Sequence, residues 1–223
     1  MTPLSWVLPL VEPRLAPLGV RVTQPQGSLW SGQAVLMEQN LGRVNVQWDI
    51  KVASLLLLKL PVDVELSNSN LALSGLVTVG VGGPSLANWS GYIDDKALRS
   101  VYQRYRATIN GRLQLDTVAA SMSWGHQLKE ASGSATWSGG AATVPVGRSA
   151  RTFEVPMMHG DIASDENAWH FVANSSDGQA LIEAELTREG MGTVSVKSAM
   201  TKALGLSIPS SGENVFKMSQ QVF

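Results

Sequence analysis

Hydrophobic and polar residues alternate with a period of two over most of the chain. Val44, Val46, Trp48 and Ile50 fall on one side of a run whose other side carries Arg43, Asn45, Gln47, Asp49 and Lys51, the pattern of a half-buried strand. Val62, Val64 and Leu66 alternate with Asp63, Glu65 and Ser67, and after a Ser-Asn turn a second strand runs from Leu71 to Val79, which predicts a hairpin. Ile109, Gly111, Leu113 and Leu115 face away from Thr108, Asn110, Arg112, Gln114 and Asp116, and Ser121 to Trp124 follows a few residues later. Short strands are also predicted over 134–146, 151–155, 169–173, 182–187, 193–196 and 215–222, with glycine and asparagine between them.

Two segments break this period. Asp94 and Asp95 open a stretch in which Leu98, Val101, Tyr102 and Tyr105 recur at helical spacing, with Arg104 and Arg106 toward its end, the charge order a helix dipole favours. The second, 198–204, has Ser198 as a candidate cap, Met200 and Leu204 four apart, and Gly205 where a C-terminal glycine belongs. The expected fold is therefore mainly β: a large, curved, mostly antiparallel sheet, or an open or partial barrel, with two short helices that could plug its ends. Residues 19–223 read as a single β domain, with possible pseudo-repetition between 19–93 and 107–222 because no linker divides them.

The octapeptide Gly27-Ser28-Leu29-Trp30-Ser31-Gly32-Gln33-Ala34 is echoed by Gly133-Ser134-Ala135-Thr136-Trp137-Ser138-Gly139-Gly140. Read as extended chain, it turns Trp30 to the opposite face from Leu29 and Ser31, with flanking glycines for twist or a bulge.

Composition sharpens the picture. Charged residues are 16% of the chain, below the roughly 25% usual for soluble domains, and Ser, Thr, Asn, Gln and Gly supply the polarity instead. The formal charge of −1 leaves no field to hold nucleic acid or an anionic membrane surface over the whole molecule. There is no cysteine, hence no disulfide, thiolate or cysteine-bound metal, an absence compatible with cytoplasm and periplasm alike. The longest apolar runs, such as 53–58, fall well short of the about 20 residues that span a bilayer.

No catalytic constellation emerges. The chain has no Gly-x-Ser-x-Gly elbow, and Gly80-Val81-Gly82-Gly83-Pro84 lacks the lysine and helix of a phosphate cradle, so it reads as a loop. His159 and His170 share a polar stretch with Asp161, Asp165 and Glu166, while His126 stands apart; their spacing fits no familiar zinc pattern, and a solvated loop is the preferred reading. The seven tryptophans, at 6, 30, 48, 89, 124, 137 and 169, are expected to fill a β core rather than to stack on single-stranded nucleic acid, because the basic residues do not cluster beside them. No enzyme activity, cofactor or metal is expected. A concave face of Trp and Leu holding an acyl chain is indistinguishable at this level from an ordinary interior.

The beginning, residues 1–18, is apolar and punctuated by prolines, with Trp6 but no basic n-region or cleavage site, so it is not a signal peptide. It either packs on the domain edge, the preferred reading, or sits beside a membrane at headgroup level.

Taken in order, Leu4-Ser5-Trp6-Val7-Leu8-Pro9 with Glu12-Pro13-Arg14-Leu15, the Gly27–Ala34 element, Leu41-Gly42-Arg43-Val44 leading to Trp48, Asn110-Gly111-Arg112-Leu113, the Gly133–Gly139 strand, 199–205 and the C-terminal segment from Val215-Phe216 to Phe223 resemble protein N of the type II secretion system. That resemblance runs nearly end to end. It implies a periplasmic β domain of a single-pass inner-membrane protein, whose N-terminal transmembrane helix would precede residue 1, leaving 1–18 as a juxtamembrane segment. It implies contacts with other inner-membrane or periplasmic secretion components, no nucleic acid, and no catalytic residues to carry over. The chain is also distantly similar to β-rich envelope proteins that handle lipid, which keeps a hydrophobic-ligand binder as the alternative. Leu29, Trp30, Trp137, Val222 and Phe223 are the expected partner or structural contacts.

Overall fold

The computed structural model describes residues 19–38, 42–51, 53–54, 58–103, 106–125, 127–146, 149–206 and 212–222. The N-terminal segment 1–18, His126 and Phe223 lie outside them. The first six strands are β1 (Val20–Gly27), β2 (Ser31–Glu38), β3 (Gly42–Ile50), β4 (Lys59–Ser67), β5 (Leu71–Gly80) and β6 (Gly83–Asp94). After helix α1 (Asp95–Gln103) come β7 (Thr108–Ile109), β8 (Arg112–Met122), β9 (Leu128–Trp137), β10 (Gly140–Val146), β11 (Ser149–Val155), β12 (Met158–Ser164), β13 (Ala168–Ser175), β14 (Ala180–Thr187) and β15 (Met191–Lys197). Helix α2 (Ser198–Ala203) and β16 (Asn214–Gln221) follow.

Thirteen of these strands form one antiparallel sheet in nearly strict chain order, β1 to β6, then β8, β9 and β12 to β16. The sheet does not close into a barrel, and β1 and β16 are its two edges. The departures from sequential order are β7, which pairs with β10, and the β10–β11 hairpin; together they make a separate three-stranded sheet. The expected 134–146 strand is thus two, broken at Ser138-Gly139, where Gly139 takes a φ of +79° that a side chain would resist. Likewise Ser121 belongs to the continuous β8, and Trp124 lies in the turn beyond it.

Curvature comes from bulges. Register slips next to Gln24 in β1, Asn88 in β6 and Thr117 in β8, and each of these takes a positive φ near 50°, the signature of an inserted residue that bends and twists its strand. At Thr117 the conformation is held by its N–H donating to Ser90 Oγ at 3.1 Å.

The register carries one apolar row across almost the entire sheet. From β2 to β6 it reads Ala34, Val46, Leu66, Leu73 and Gly91, each directly opposite the next. From β8 to β16 it continues through Leu115, Ala135, Gly160, Ala173, Ile182, Val196 and Phe216. One residue over, on the other face, stands a row of Asn45, Ser67, Ala72, Tyr92, Gln114, Thr136, His159 and Asn174. This is the period of two written through twelve strands.

Helix α1 packs on the apolar face: Ala97, 3% exposed, joins Val44 and Leu71, with Val46, Leu66 and Ile93 around them. Among the described side chains of the helix the fully buried one is this alanine, whose small size lets the helix approach the sheet closely; Leu98 and Tyr102 of the stripe expected from sequence are half-buried, and Arg104 and Tyr105 lie outside the described residues. Helix α2 does not use a serine cap: its N-cap is Lys197, and the Ser198 N–H donates to the Glu213 carbonyl at 2.8 Å. Gly205 closes its end with a φ of +69°. The buried apolar residues are mostly alanines, joined by Val44, Leu71, Leu128 and Leu181, and no described tryptophan is fully buried. The expectation of a tryptophan-filled core is therefore corrected: Trp30, Trp48, Trp89, Trp137 and Trp169 are half-buried and Trp124 is exposed, while small side chains fill the most enclosed positions.

Candidate functional site

The Gly27–Ala34 octapeptide is not one continuous strand: Ser28, Leu29 and Trp30 form the hairpin turn between Gly27, the last residue of β1, and Ser31–Ala34, the start of β2. Gly27 ends β1 with a φ of +94°, the Ser28 N–H donates to the Ser31 carbonyl at 2.9 Å, and Ser28 Oγ accepts the N–H groups of Trp30 and Ser31 at 3.2 Å each. A serine hydroxyl gathering local amides in this way competes with ladder pairing, and it defines the turn. Leu29 and Trp30 are half-buried at its tip, tied to the sheet by Trp48 Nε1 donating to the Leu29 carbonyl at 3.1 Å and by the Ile50 N–H donating to Trp30 O at 2.6 Å. A groove of about 480 Å³ opens beside them, lined by Trp48 but otherwise by polar and acidic groups including Gln33, Asp49, Asp63 and Glu65. Lys51 pairs with Asp63 at 2.7 Å.

The echo segment differs. Gly133–Trp137 lies within β9, where Trp137 stands between Leu113 of β8 and Met158 of β12. Its indole covers Gly111, and its Nε1 is buried with no partner among the described residues. Trp137 on β9 is thus six strand positions from β2, at whose turn Trp30 sits, and the two do not meet.

The stretch expected to be a solvated loop, with His159 and Asp161, is the central strand β12, paired on both sides. His159 Nδ1 and Thr136 Oγ1 are 2.9 Å apart, while His170 Nε2 and Asp165 Oδ2 are 2.9 Å apart. His170 lies opposite Ala163, four residues along β12 from His159, or about 13 Å, so the two imidazoles serve separate local bonds. Asp165 is held to about 2, first by the Asn167 N–H, then by His170 and the Ala168 N–H, at the β12–β13 turn. Among the described residues no group of three or more His, Asp or Glu is placed to hold a metal.

The two sheet edges differ in a way the sequence pattern did not distinguish. Strand β1 carries Pro25 and a bulge, two devices that spoil strand addition. Strand β16, Asn-Val-Phe-Lys-Met-Ser-Gln-Gln, has one charge and no proline, and it exposes Phe216 (53%) and Met218 (52%). Val222, also exposed, follows it, its N–H donating to Gly190 O at 2.8 Å. On the next strand Val194 faces Met218 and Val196 faces Phe216, so the exposed pair continues the apolar face to the rim. Lys197, with its side chain 10% exposed, closes the polar side of this end through Glu183 at 2.7 Å and Glu213 at 3.0 Å.

No helix of the described residues is long and apolar enough to cross a membrane. Comparison with known proteins matches residues 18–209 to the family described as Type II secretion system (T2SS), protein N. A curated relative, Type II secretion system protein N of Vibrio cholerae serotype O1 (strain ATCC 39315 / El Tor Inaba N16961), is 26% identical over 180 residues, which is 76% of this chain and 66% of that protein. The chain thus spans just under two-thirds of the relative's length. No solved structure matches. With the match running from two residues before β1 to beyond α2, the chain belongs to the type II secretion system protein N family.

Proposed function

We propose that this domain acts in protein export as a non-enzymatic component of the type II secretion apparatus, and that it engages another component by strand addition at the β16 edge. The observation behind this reading is the contrast between the two edges: β1 is blunted by Pro25 and a mid-strand bulge, while β16 has no proline, its one register slip lies at its start beside Val215, and Phe216 and Met218 are exposed along the rest. A strand docking there gains main-chain hydrogen bonds from the rim and side-chain contacts from the apolar face. The partners are other inner-membrane or periplasmic secretion components, and the domain is the periplasmic part of a single-pass inner-membrane protein.

Pull-down from envelope extracts tests it, with wild-type protein beside a Phe216→Lys/Met218→Lys variant. Secretion components enriched by the wild type and lost with the variant are expected. Equal enrichment by both proteins would remove β16 from the interface, and enrichment of no secretion component would end the reading.

A second reading, an envelope binder of lipid or another hydrophobic ligand, draws on the row from Ala34 to Phe216, which contains no charged residue across twelve strands. Native mass spectrometry separates the two: co-purifying lipid favours the ligand, and a bare mass favours the protein contact.

A further inference from the structure

Three successive hairpin tips at one end of the sheet carry apolar residues where turns are ordinarily polar. Leu58, before β4, is 71% exposed; Val81, at the β5–β6 turn, 74%; and Trp124, at the β8–β9 turn, 61%. They lie at the same end because Lys59 pairs with Gly80, Gly80 with Gly83, and Met122 with Leu128. Scattered exposed hydrophobics are normal, but three on adjacent tips leave apolar area open to water at one end of the sheet.

The tips are fastened to one another. Trp124 Nε1 donates to the Gly80 carbonyl at 3.0 Å and Lys129 Nζ to the Gly82 carbonyl at 2.8 Å, so the β8–β9 turn is tied to the β5–β6 turn. Between them is a cavity of about 560 Å³, whose lining includes two lysines, Lys59 and Lys129, and no acidic residue. Asp165 and Glu166 of the β12–β13 turn bound the patch on the far side of β9. An indole with its polar edge satisfied, two exposed aliphatic side chains on neighbouring turns and two lysines lining the cavity between them is a composition that suits the boundary between headgroups and acyl chains.

We infer that this end of the sheet is a peripheral membrane-docking site, in which Leu58, Val81 and Trp124 enter the interfacial layer of an anionic lipid surface and Lys59 and Lys129 meet its headgroups. The commitment to anionic lipid follows from charge complementarity, since the lining has cations and no anion. The inference stands apart from the proposed β16 contact, which is on the sheet's side rather than its end.

Vesicle sedimentation with the 223-residue chain tests it, using phosphatidylcholine alone and phosphatidylcholine with about one-third phosphatidylglycerol. Binding is expected to the mixed vesicles and to be weaker on the neutral ones, and to fall with added salt. Lys59→Gln and Lys129→Gln should each weaken it about fivefold. Val81→Ser combined with Trp124→Ser should weaken it about tenfold or more while lowering the thermal midpoint only slightly, because both side chains are exposed and the one bond lost is Trp124 Nε1 to the Gly80 carbonyl. Met157→Ser, an exposed apolar change at the opposite end of the sheet, should have no effect. Absence of binding to mixed vesicles overturns the inference, as does binding that survives the Val81/Trp124 or the lysine changes. Capture of a secretion protein by this patch, with vesicles ignored, assigns it to protein docking instead.

Discussion

Gly75 of β5 lies beneath the indole of Trp89 on β6: a β-carbon placed on Gly75 would come within 2.5 Å of Cγ and Cδ1 of that ring. The same device recurs twice, with Phe171 over Gly160 and Trp137 over Gly111. Each aromatic shields a stretch of strand backbone that has no side chain of its own, which compensates the weakness of glycine in a strand and fixes the ring's position. Along the large sheet these pairs supply apolar cover at positions where the strand itself has no side chain to offer.

Gly75→Ala should therefore destabilise by about 1–3 kcal/mol, because the added methyl displaces a ring held at its other end by Trp89 Nε1 donating to Leu76 O. Gly80→Ala, whose new methyl meets nothing nearer than 3.5 Å, should stay within about 0.5 kcal/mol of wild type. Urea unfolding checks both, with the midpoint moving and the slope unchanged. Equal midpoints for the two variants would show that the ring does not rest on Gly75.

The two indoles differ in a second respect that can be measured. Trp89→Phe keeps a ring over Gly75 but leaves the Leu76 carbonyl without its donor, and should cost about 1 kcal/mol. Trp137→Phe keeps a ring over Gly111 and removes an N–H that has no partner among the described residues, so it should cost less than Trp89→Phe or raise the unfolding midpoint. A larger loss for Trp137→Phe would contradict the assignment of its nitrogen.

What the sequence made legible follows from the same geometry. Strands β3, β4 and β14 show clean alternation because one face is apolar and the other wet, and they are read directly from Val44 to Ile50, Val62 to Leu66 and Ile182 to Leu186. Strand β12 escapes that reading because its inward residue is Gly160, with the apolar cover supplied by Phe171 from the next strand. Strand β6 escapes because the bulge at Asn88 shifts the alternation halfway, after a start at Gly83-Pro84 that resembles a loop. The octapeptide misleads because the Ser28 hydroxyl, not the period of two, sets the conformation of its residues 28–30, which break it into the end of β1 and the start of β2. The contrast between the β1 and β16 edges required strand order, which thirteen similar segments do not reveal by themselves.

At the β14–β16 corner the burial is lopsided. Lys197 is almost enclosed, whereas its partners Glu183 and Glu213 are largely open to water. Its ammonium is shifted upward, chiefly by Glu183 and then by Glu213. Losing Glu183 leaves a covered cation with only the exposed Glu213 beside it, while losing Lys197 leaves two carboxylates that water can solvate. Glu183→Ala should therefore lower the thermal midpoint more than Lys197→Met does. Because the folded value of the ammonium is raised, its contribution is fully present below 10.5 and is lost as pH rises through the higher folded value. The gap in midpoint between wild type and Glu183→Ala should accordingly shrink in strong alkali and stay constant near neutrality; a gap that persists there would mean the charge plays no part.

The β12–β13 turn has the opposite sign. Asp165 accepts the Asn167 N–H at 2.7 Å, the Ala168 N–H at 2.9 Å and the His170 contact at 2.9 Å, and these hold its carboxyl at about 2 instead of 3.8. A depressed folded value means that the turn contributes stability above 3.8 and loses it as pH falls through about 2. The difference in unfolding midpoint between wild type and Asp165→Ala should be flat above 3.8 and close progressively toward pH 2. Carbon-detected titration of the Asp165 carboxyl in the folded chain reads the same quantity directly. In His170→Ala its midpoint should rise yet stay below 3.8, because the two backbone donors remain and the Asn167 N–H is the larger influence. A midpoint of 3.8 in the wild type would show that the turn's amides do not converge on Asp165, and a midpoint unmoved by His170→Ala would remove the imidazole from the turn.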